Sequence, residues 1–146
     1  VEIAHPLGLA GHSDADVLAH AITDALLGAL ALGDLGKHFP DTDRSFKDAD
    51  SLELMARVMR LVTGRGFRVV NVDATVLAER PKLAPHAQKM CENIARVLGV
   101  SSACVSVKAT THERLGALGR GEGIAATAVV LLAGERVESG FKREEE

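Results

Sequence analysis

Imidazole and carboxylate side chains recur at intervals of four residues near the start of the chain, at His12, Asp16, His20 and Asp24. Residues four apart lie on one face of an α-helix, so the spacing predicts a helix over about residues 13–32 with one polar stripe. Polar groups that are partly buried need partners, and a divalent metal or a phosphate would supply one. The same spacing is also typical of a helix face that contacts only water.

Three further features favour a functional site over a solvated face. His12 and Ser13 stand where the predicted helix begins, and the free backbone N–H groups of a helix start attract anions. Asp16 or Asp24 could hold the ring of His20, as carboxylates do for metal-bound histidines. The helix then leads into a turn-rich loop with three carboxylates, formed by residues 33–36 and 39–43.

The composition limits the classes of partner. The chain has 146 residues, 47% of them apolar and 25% charged, which is typical of one globular domain. A net charge of −3 and an aromatic content of 3% give no basis for nucleic-acid binding. No apolar run reaches the length of a membrane span, so no membrane contact is expected. Cys91 and Cys104 lack metal-site spacing and are predicted to be small core residues without a disulfide.

The residue pattern predicts an α/β or α+β domain over residues 1–134, with helices on one face of the sheet, followed by a charged tail. Residues 1–10 are predicted to form a short apolar strand or an extended lead-in, and after the first helix comes a loop over residues 37–48. The later elements are a helix capped by Asp50 and ending at 64–66, a strand over 67–77, a helix over about 85–98, and strands over 104–110 and 124–132. In the first strand, one face is predicted to be buried and the other covered partly by other subunits. The predicted buried face is Val70, Val72, Ala74 and Val76.

Three later segments also concentrate functional residue types. The motif KATTHE at 108–113 leaves a strand with two hydroxyls, and freed backbone N–H groups there would seat a phosphate while Glu113 holds magnesium. The segment 116–123 has four glycines, which allow close backbone approach, and includes Arg120 and Glu122, which could pair or bind phosphate. The loop 78–83 offers Lys82. Each segment alone is also typical of an ordinary turn or strand end.

The chain resembles the 2-C-methyl-D-erythritol 2,4-cyclodiphosphate synthase family on four motifs in order: HSDADVLAHAITDALLGALALGDLGKHFPDTD, AERPKLAPH, KATTHERLG and GRGEGIAA. The resemblance covers about residues 1–132. It implies a homotrimer whose sheets gather around an axis, with active sites at subunit interfaces. It also implies a metal-dependent phosphorus–oxygen lyase of the non-mevalonate isoprenoid pathway. Such an enzyme cyclises 4-diphosphocytidyl-2-C-methyl-D-erythritol 2-phosphate and releases CMP, which needs positioning and charge neutralisation rather than a protein nucleophile.

The resemblance assigns roles to the matching positions. His20 matches a zinc ligand, and Glu113 matches the ligand of a magnesium or manganese ion. His12 and Thr111 match the positions that stabilise the transition state, and the cytidine pocket is lent by a neighbouring subunit. The implied substrate contacts are His12 and Ser13 at the phosphates, Asp34, Leu35 and Gly36 at the ribose, Phe39, Pro40, Asp41, Thr42 and Asp43 in the covering loop, Ala78, Pro81, Lys82, Leu83, Ala84, Ala109 and Thr110 around cytidine, Thr111 and Glu113, and Ala117 and Arg120 near the erythritol and the axis.

Two departures from the family pattern and two other functions complete the expectations. Family members begin with a strand bearing an Asp-x-His pair of zinc ligands, which is absent here, so we expect an incomplete zinc site or a longer protein. Ala117 stands where relatives often carry Phe, which would widen the space near the axis. A non-catalytic chain that binds cytidine nucleotides stays open, as does a zinc hydrolase that uses His12, Asp16 and His20. The expected location is the bacterial cytoplasm or a plastid-type compartment.

Overall fold

The computed structural model describes residues 1–10, 14–40 and 49–134. The predictions for His12, Ser13, Asp41, Thr42, Asp43 and the tail lie outside these residues. Within them, residues 1–10 form neither helix nor strand, so the lead-in contains no strand. The helices are α1 (Val17–Ala29), α2 (Leu35–His38), α3 (Ser51–Gly64), α4 (Ala87–Leu98) and α5 (Gly116–Gly119), and the strands are β1 (Phe67–Leu77), β2 (Val105–Thr110) and β3 (Ala125–Gly134).

The strands form a three-stranded sheet in the order β2-β1-β3. The central strand β1 runs parallel to β2 and antiparallel to β3. The predicted order of the longer elements is confirmed, and the two short helices α2 and α5 are additions. The predicted loop from residue 37 was wrong at its start, because residues 37 and 38 belong to α2. Asp34 caps this short helix by accepting a hydrogen bond from Lys37 N.

The first helix is shorter at both ends than predicted. It begins at Val17, because the carboxylate of Asp16 caps it by accepting a hydrogen bond from Ala19 N at 2.9 Å. The predicted helix start at about residue 13 was therefore wrong, and Asp16 caps the helix instead of lying on its polar stripe. At the other end, Ala31 turns the chain with a φ of 55°. The predicted cap of α3 is confirmed, since the side chain of Asp50 accepts a hydrogen bond from Leu52 N.

The core lies between one face of the sheet and the helices α1, α3 and α4, which confirms the predicted layer arrangement. On β1, the predicted burial of Val72, Ala74 and Val76 is confirmed, but Val70 is only half-buried and Val69 is buried in its place. The register with β3 shifts between Val69 and Asn71, and such an irregularity changes the face on which later side chains lie. The fully buried large side chains are Ile22, Leu26, Leu27, Met55, Val58, Val62 and Val72.

The opposite face of the sheet is not covered by any helix of the described chain. Val129 and Leu131 of β3 are 72% and 56% exposed on this face. Beside them, Lys108 donates a hydrogen bond to Asp73 at 2.7 Å, which lowers the pKa of that carboxyl. Two large apolar side chains next to an ion pair are typical of a surface that another subunit covers. Cover by other subunits stays a prediction.

Two other expectations concern the thiols and the helices. Cys91 is buried in the core, which confirms its prediction, whereas Cys104 is only half-buried, and both thiols are free. No helix in residues 14–40 or 49–134 is long and apolar enough to cross a membrane.

Asp14 ties the segment before α1 to the start of α3. Its carboxylate accepts hydrogen bonds from the hydroxyl and the backbone N–H of Ser51, the first residue of α3. The same carboxylate accepts from Asp16 N at 3.1 Å, next to the cap of α1. Partial burial opposes ionisation of Asp14, but the hydrogen bonds from Ser51 and Asp16 outweigh it and lower the pKa.

We predict that Asp14→Asn reduces the pH dependence of stability in acid. A carboxyl whose pKa is lowered by folding contributes stability above its unfolded pKa, and that contribution is lost as the pH falls through the folded pKa. The free energy of unfolding, measured by urea denaturation, should fall more steeply for the natural chain than for Asp14→Asn between about pH 5 and pH 3. Ser51→Ala, which removes a donor, should flatten the profile in the same direction. Identical slopes for all three proteins would contradict the role of Asp14.

Candidate functional site

One group of candidate residues lies where α1 faces α2. His20 Nε2 lies 3.3 Å from Asp24 Oδ2, and the two side chains are 55% and 38% exposed. The other oxygen of Asp24 accepts a hydrogen bond from Leu35 N at 2.7 Å. Asp24 therefore orients the His20 ring, as carboxylates commonly do for a metal-binding imidazole. The same side chain also fixes the start of α2. This confirms Asp24, and not Asp16, as the partner of His20.

The predicted ribose contacts follow directly on this pair. Asp34 Oδ1 accepts from Lys37 N at 2.9 Å, so this carboxylate oxygen already has a partner within the chain. Gly36 lies in the short helix, where an added Cβ would stand 3.5 Å from Asp34 Oδ1. Phe39 is partly buried against the core, and Pro40 is exposed beside it. Through Asp24, the structure thus joins the start of the predicted contact segment, at Leu35, to His20.

A second group lies at one edge of the sheet, where two parallel strands end together. Leu77 of β1 stands opposite Thr110 of β2, and Ala78 N donates to Thr110 O at 3.0 Å. This pairing brings the predicted cytidine loop beside Ala109 and Thr110. In that loop, Ala78 and Leu83 are 9% and 8% exposed, and their side chains pack in the core. Lys82 and Ala84 are exposed. The predicted ligand contacts of all four stay predictions.

The turn after β2 does not offer the free backbone N–H groups that we predicted for a phosphate. Glu79 Oε1 accepts hydrogen bonds from His112 N at 3.0 Å and from Arg114 N at 3.1 Å. Glu113 N donates to the hydroxyl of Thr111, which lies 3.2 Å from Glu113 Oε1. The N–H groups of residues 112–114 are therefore not free for a phosphate, and a phosphate seat in this motif stays a prediction. The Thr111 hydroxyl and the Glu113 carboxylate are exposed here, as are the side chains of His112 and Arg114.

Glu79 is a residue of this site that the sequence analysis did not single out. It lies two residues after the end of β1, and it is half-buried. A carboxylate at the end of a strand, with a polar turn following the neighbouring parallel strand, is a feature that could have indicated it. Its hydrogen bonds to residues 112 and 114 depend on the pairing of β1 with β2, which brings the ends of the two strands together.

The glycine-rich segment after this turn is confirmed as a site of close backbone approach. A Cβ added to Gly119 would lie 2.2 Å from the backbone carbon of Arg114, a distance that no side chain tolerates. Arg120 and Glu122 form the ion pair that was one of the two predicted alternatives, with Nε and Oε1 2.6 Å apart. Ala117 is exposed on α5. The segment therefore supports the turn carrying Thr111 and Glu113.

A cavity of about 150 Å³ lies between α1, β1 and α4. Its lining is apolar except for Asp16 and Asn93, and of the predicted contacts it includes only Leu83. A lining of this kind does not suit phosphate chemistry. We therefore locate the candidate site at the two polar groups described above and not in this cavity. Asp16, already engaged in capping α1, is also a poor ligand for the alternative zinc hydrolase.

The donor set can be compared with what each expected metal requires. Across residues 1–10, 14–40 and 49–134, no three His, Cys, Asp or Glu side chains are grouped closely enough to hold a metal. A zinc site uses about three protein ligands, and His20 supplies one. Magnesium commonly uses one or two carboxylates together with substrate phosphates and water. Glu113, exposed beside the Thr111 hydroxyl, fits that requirement.

Comparison with known proteins decides the family. The model of the YgbB family matches residues 1–133. The chain belongs to the YgbB family. A relative in this family, the 2-C-methyl-D-erythritol 2,4-cyclodiphosphate synthase of Dechloromonas aromatica (strain RCB), is 61% identical over 137 residues, which cover 94% of this chain and 84% of the relative.

Solved structures of YgbB relatives share the fold. The bifunctional IspDF of Campylobacter jejuni matches with a TM-score of 0.89 at 47% identity, over 92% of this chain and 37% of that longer chain. The CDP complex of IspF from Plasmodium falciparum matches with a TM-score of 0.78 at 32% identity, over 87% of this chain and 76% of the other. This chain therefore shares its mixed α/β fold with solved structures of these relatives.

We predict that Gly119→Ala destabilises the protein while Gly123→Ala does not. The added methyl group at 119 would collide with the backbone of Arg114, whereas at 123 its nearest neighbour would be a Leu118 methyl group at 3.8 Å. Forcing an extra carbon into a filled space costs about 1–3 kcal/mol. Urea unfolding of both variants measures the difference. Equal stability of the two variants would show that the close approach of Gly119 to Arg114 is not a structural requirement.

Proposed function

We propose that this member of the YgbB family converts 4-diphosphocytidyl-2-C-methyl-D-erythritol 2-phosphate to 2-C-methyl-D-erythritol 2,4-cyclodiphosphate and CMP. The observation that carries the proposal is the 61% identity to a synthase of that name over 94% of the chain. The CDP complex of the Plasmodium falciparum relative supports a cytidine nucleotide as part of the substrate. An oxygen of the 2-phosphate attacks the β-phosphorus, the bond to the CMP oxygen breaks, and CMP leaves, which defines a phosphorus–oxygen lyase.

The residues of this chain contribute by positioning the two phosphates. Backbone groups of the loop 78–84, beside Thr110, hold the base, and the exposed ammonium group of Lys82 contacts a phosphate. The Thr111 hydroxyl stands beside the reacting phosphates as a hydrogen-bond donor, since hydroxyls can turn from one acceptor to another. Reactions of this type need alignment and neutralisation of charge more than covalent help from the protein. The absence of a protein nucleophile from the predicted set agrees with that requirement.

Glu113 is proposed to hold a magnesium or manganese ion, and His20 a zinc ion. The first ion, when bound, would neutralise charge on the phosphate oxygens. Glu113 fits as one carboxylate of such a site, and the hydrogen bond from Thr111 orients it. His20 fits as one imidazole ligand oriented by Asp24. The described residues supply one of the about three protein ligands that a zinc ion needs.

The active assembly is proposed to be a homotrimer with sites between subunits. Among the described contacts, no hydrogen bond or ion pair joins His20 or Asp34 to Thr111 or Glu113. A neighbouring subunit that brings the second group against the first would complete the site. The exposed Val129 and Leu131 supply an apolar surface for such packing. A molar mass of one chain by light scattering would contradict this assembly.

The reaction is proposed to take place in the cytoplasm, as one step in non-mevalonate isoprenoid precursor synthesis. The bacterial origin of the relative with 61% identity supports this placement.

The test of the proposed function is CMP release from the substrate, measured by chromatography with added magnesium. The natural chain should release CMP, and Glu113→Gln should need a magnesium concentration about tenfold higher or more, because a charged metal ligand is lost. Glu53→Gln, an exposed glutamate on α3, serves as the matched control and should leave the titration unchanged.

The outcomes separate the enzyme from a non-catalytic chain that binds cytidine nucleotides. Both would bind CMP in calorimetry, but only the enzyme would release CMP from the substrate. CMP binding without release from the natural chain would contradict the proposed function. An unchanged magnesium titration for Glu113→Gln would remove Glu113 from the metal site.

A further inference from the structure

The turn that carries Thr111 and Glu113 has a conformation that its own residues do not favour. Glu113 and Arg114 have φ angles of 50° and 64°, in the left-handed region that residues with a Cβ avoid. Two such residues in succession keep this conformation only where contacts from elsewhere hold them. The contacts that fix the turn therefore determine where the Glu113 carboxylate lies.

Glu79 supplies the contact that comes from another part of the chain. A single oxygen of its carboxylate accepts the N–H groups of His112 and Arg114, two residues apart on the turn. Successive N–H groups in a left-handed turn form a concave site for an anion. In this protein the anion is a side chain of the same molecule. Glu79 thereby occupies the N–H groups of His112 and Arg114.

Two neighbouring contacts complete the support but do not replace Glu79. The Thr111 hydroxyl binds Glu113 within the turn itself, so it cannot anchor the turn to the rest of the fold. Gly119 packs against the backbone of Arg114 and limits its position from one side. Of these three contacts, only that of the Glu79 carboxylate joins the turn to the end of β1 by hydrogen bonds.

We propose that Glu79 is a positioning residue, which holds the turn 111–114 in the conformation that presents Thr111 and Glu113 and connects that turn to the loop 80–84. The proposal rests on the proposed function for the roles of Thr111 and Glu113, but the structural link does not depend on it. Because Glu79 occupies the amides, phosphates of the substrate meet the hydroxyl and a Glu113-bound cation instead. The loop expected to contact cytidine and the turn expected to contact metal then move as one unit.

The test compares Glu79→Ala and Glu79→Gln with the natural chain, and Glu92→Ala is the matched control. Glu92 contacts Gln88 and Lys89 within its own helix, far along the chain from the turn. The first measurement is amide hydrogen exchange at His112 and Arg114 by NMR spectroscopy of the full chain. Exchange should accelerate about tenfold in Glu79→Ala, because hydrogen bonds to charged groups are stronger than neutral ones. It should accelerate less in Glu79→Gln, which keeps an oxygen acceptor, and not at all in Glu92→Ala.

The second measurement is the magnesium concentration that gives half-maximal CMP release. This magnesium concentration should rise several-fold in Glu79→Ala and return part of the way in Glu79→Gln. If Glu79 had a merely structural role, Glu79→Ala would lower the amount of folded enzyme but leave the magnesium concentration unchanged. Unchanged exchange at both amides would overturn the structural link. Faster exchange with an unchanged magnesium requirement would overturn the positioning role. If the natural chain releases no CMP, the proposed function fails, and the exchange measurement still decides whether Glu79 holds the turn.

Discussion

The parallel pairing of β1 with β2 is the constraint on which the candidate site depends. It ends both strands at one edge, with Leu77 opposite Thr110, so two segments more than thirty residues apart in sequence leave the sheet side by side. The loop after β1 contains Glu79 and Lys82, and the turn after β2 contains Thr111 and Glu113. Sheet edges at the carboxyl ends of parallel strands are common binding positions because both connections diverge there.

The other polar group is set by hydrogen bonds of aspartate side chains. Asp16 fixes where α1 begins, Asp24 joins His20 to the start of α2, and Asp34 caps α2. Asp14 adds the connection to α3. Each carboxylate accepts backbone N–H groups at a helix start, where those groups have no partner within the helix. The same residues that order the backbone therefore place His20 and the residues around Gly36.

Local patterns in the sequence predicted the elements well where one period dominates. The alternation in β1 gave its bounds as 67–77, but the register shift near Val69 reversed the burial of Val70, because pairing with β3 is not encoded locally. The start of α1 was misplaced because both Ser13 and Asp16 are good caps, and local sequence does not choose between them. Glu79 was missed because its partners are defined by the pairing of two distant strands.

The central claim is that the ends of β1 and β2 form the nucleotide and metal half of one phosphoryl-transfer site. A crystal structure of the chain with CDP and magnesium tests it most directly. In that structure we expect cytidine against the backbone of the loop 78–84, a phosphate beside Lys82 and magnesium on Glu113. We also expect His20 of a neighbouring copy to face the phosphates. A nucleotide bound away from this edge of the sheet would contradict the account.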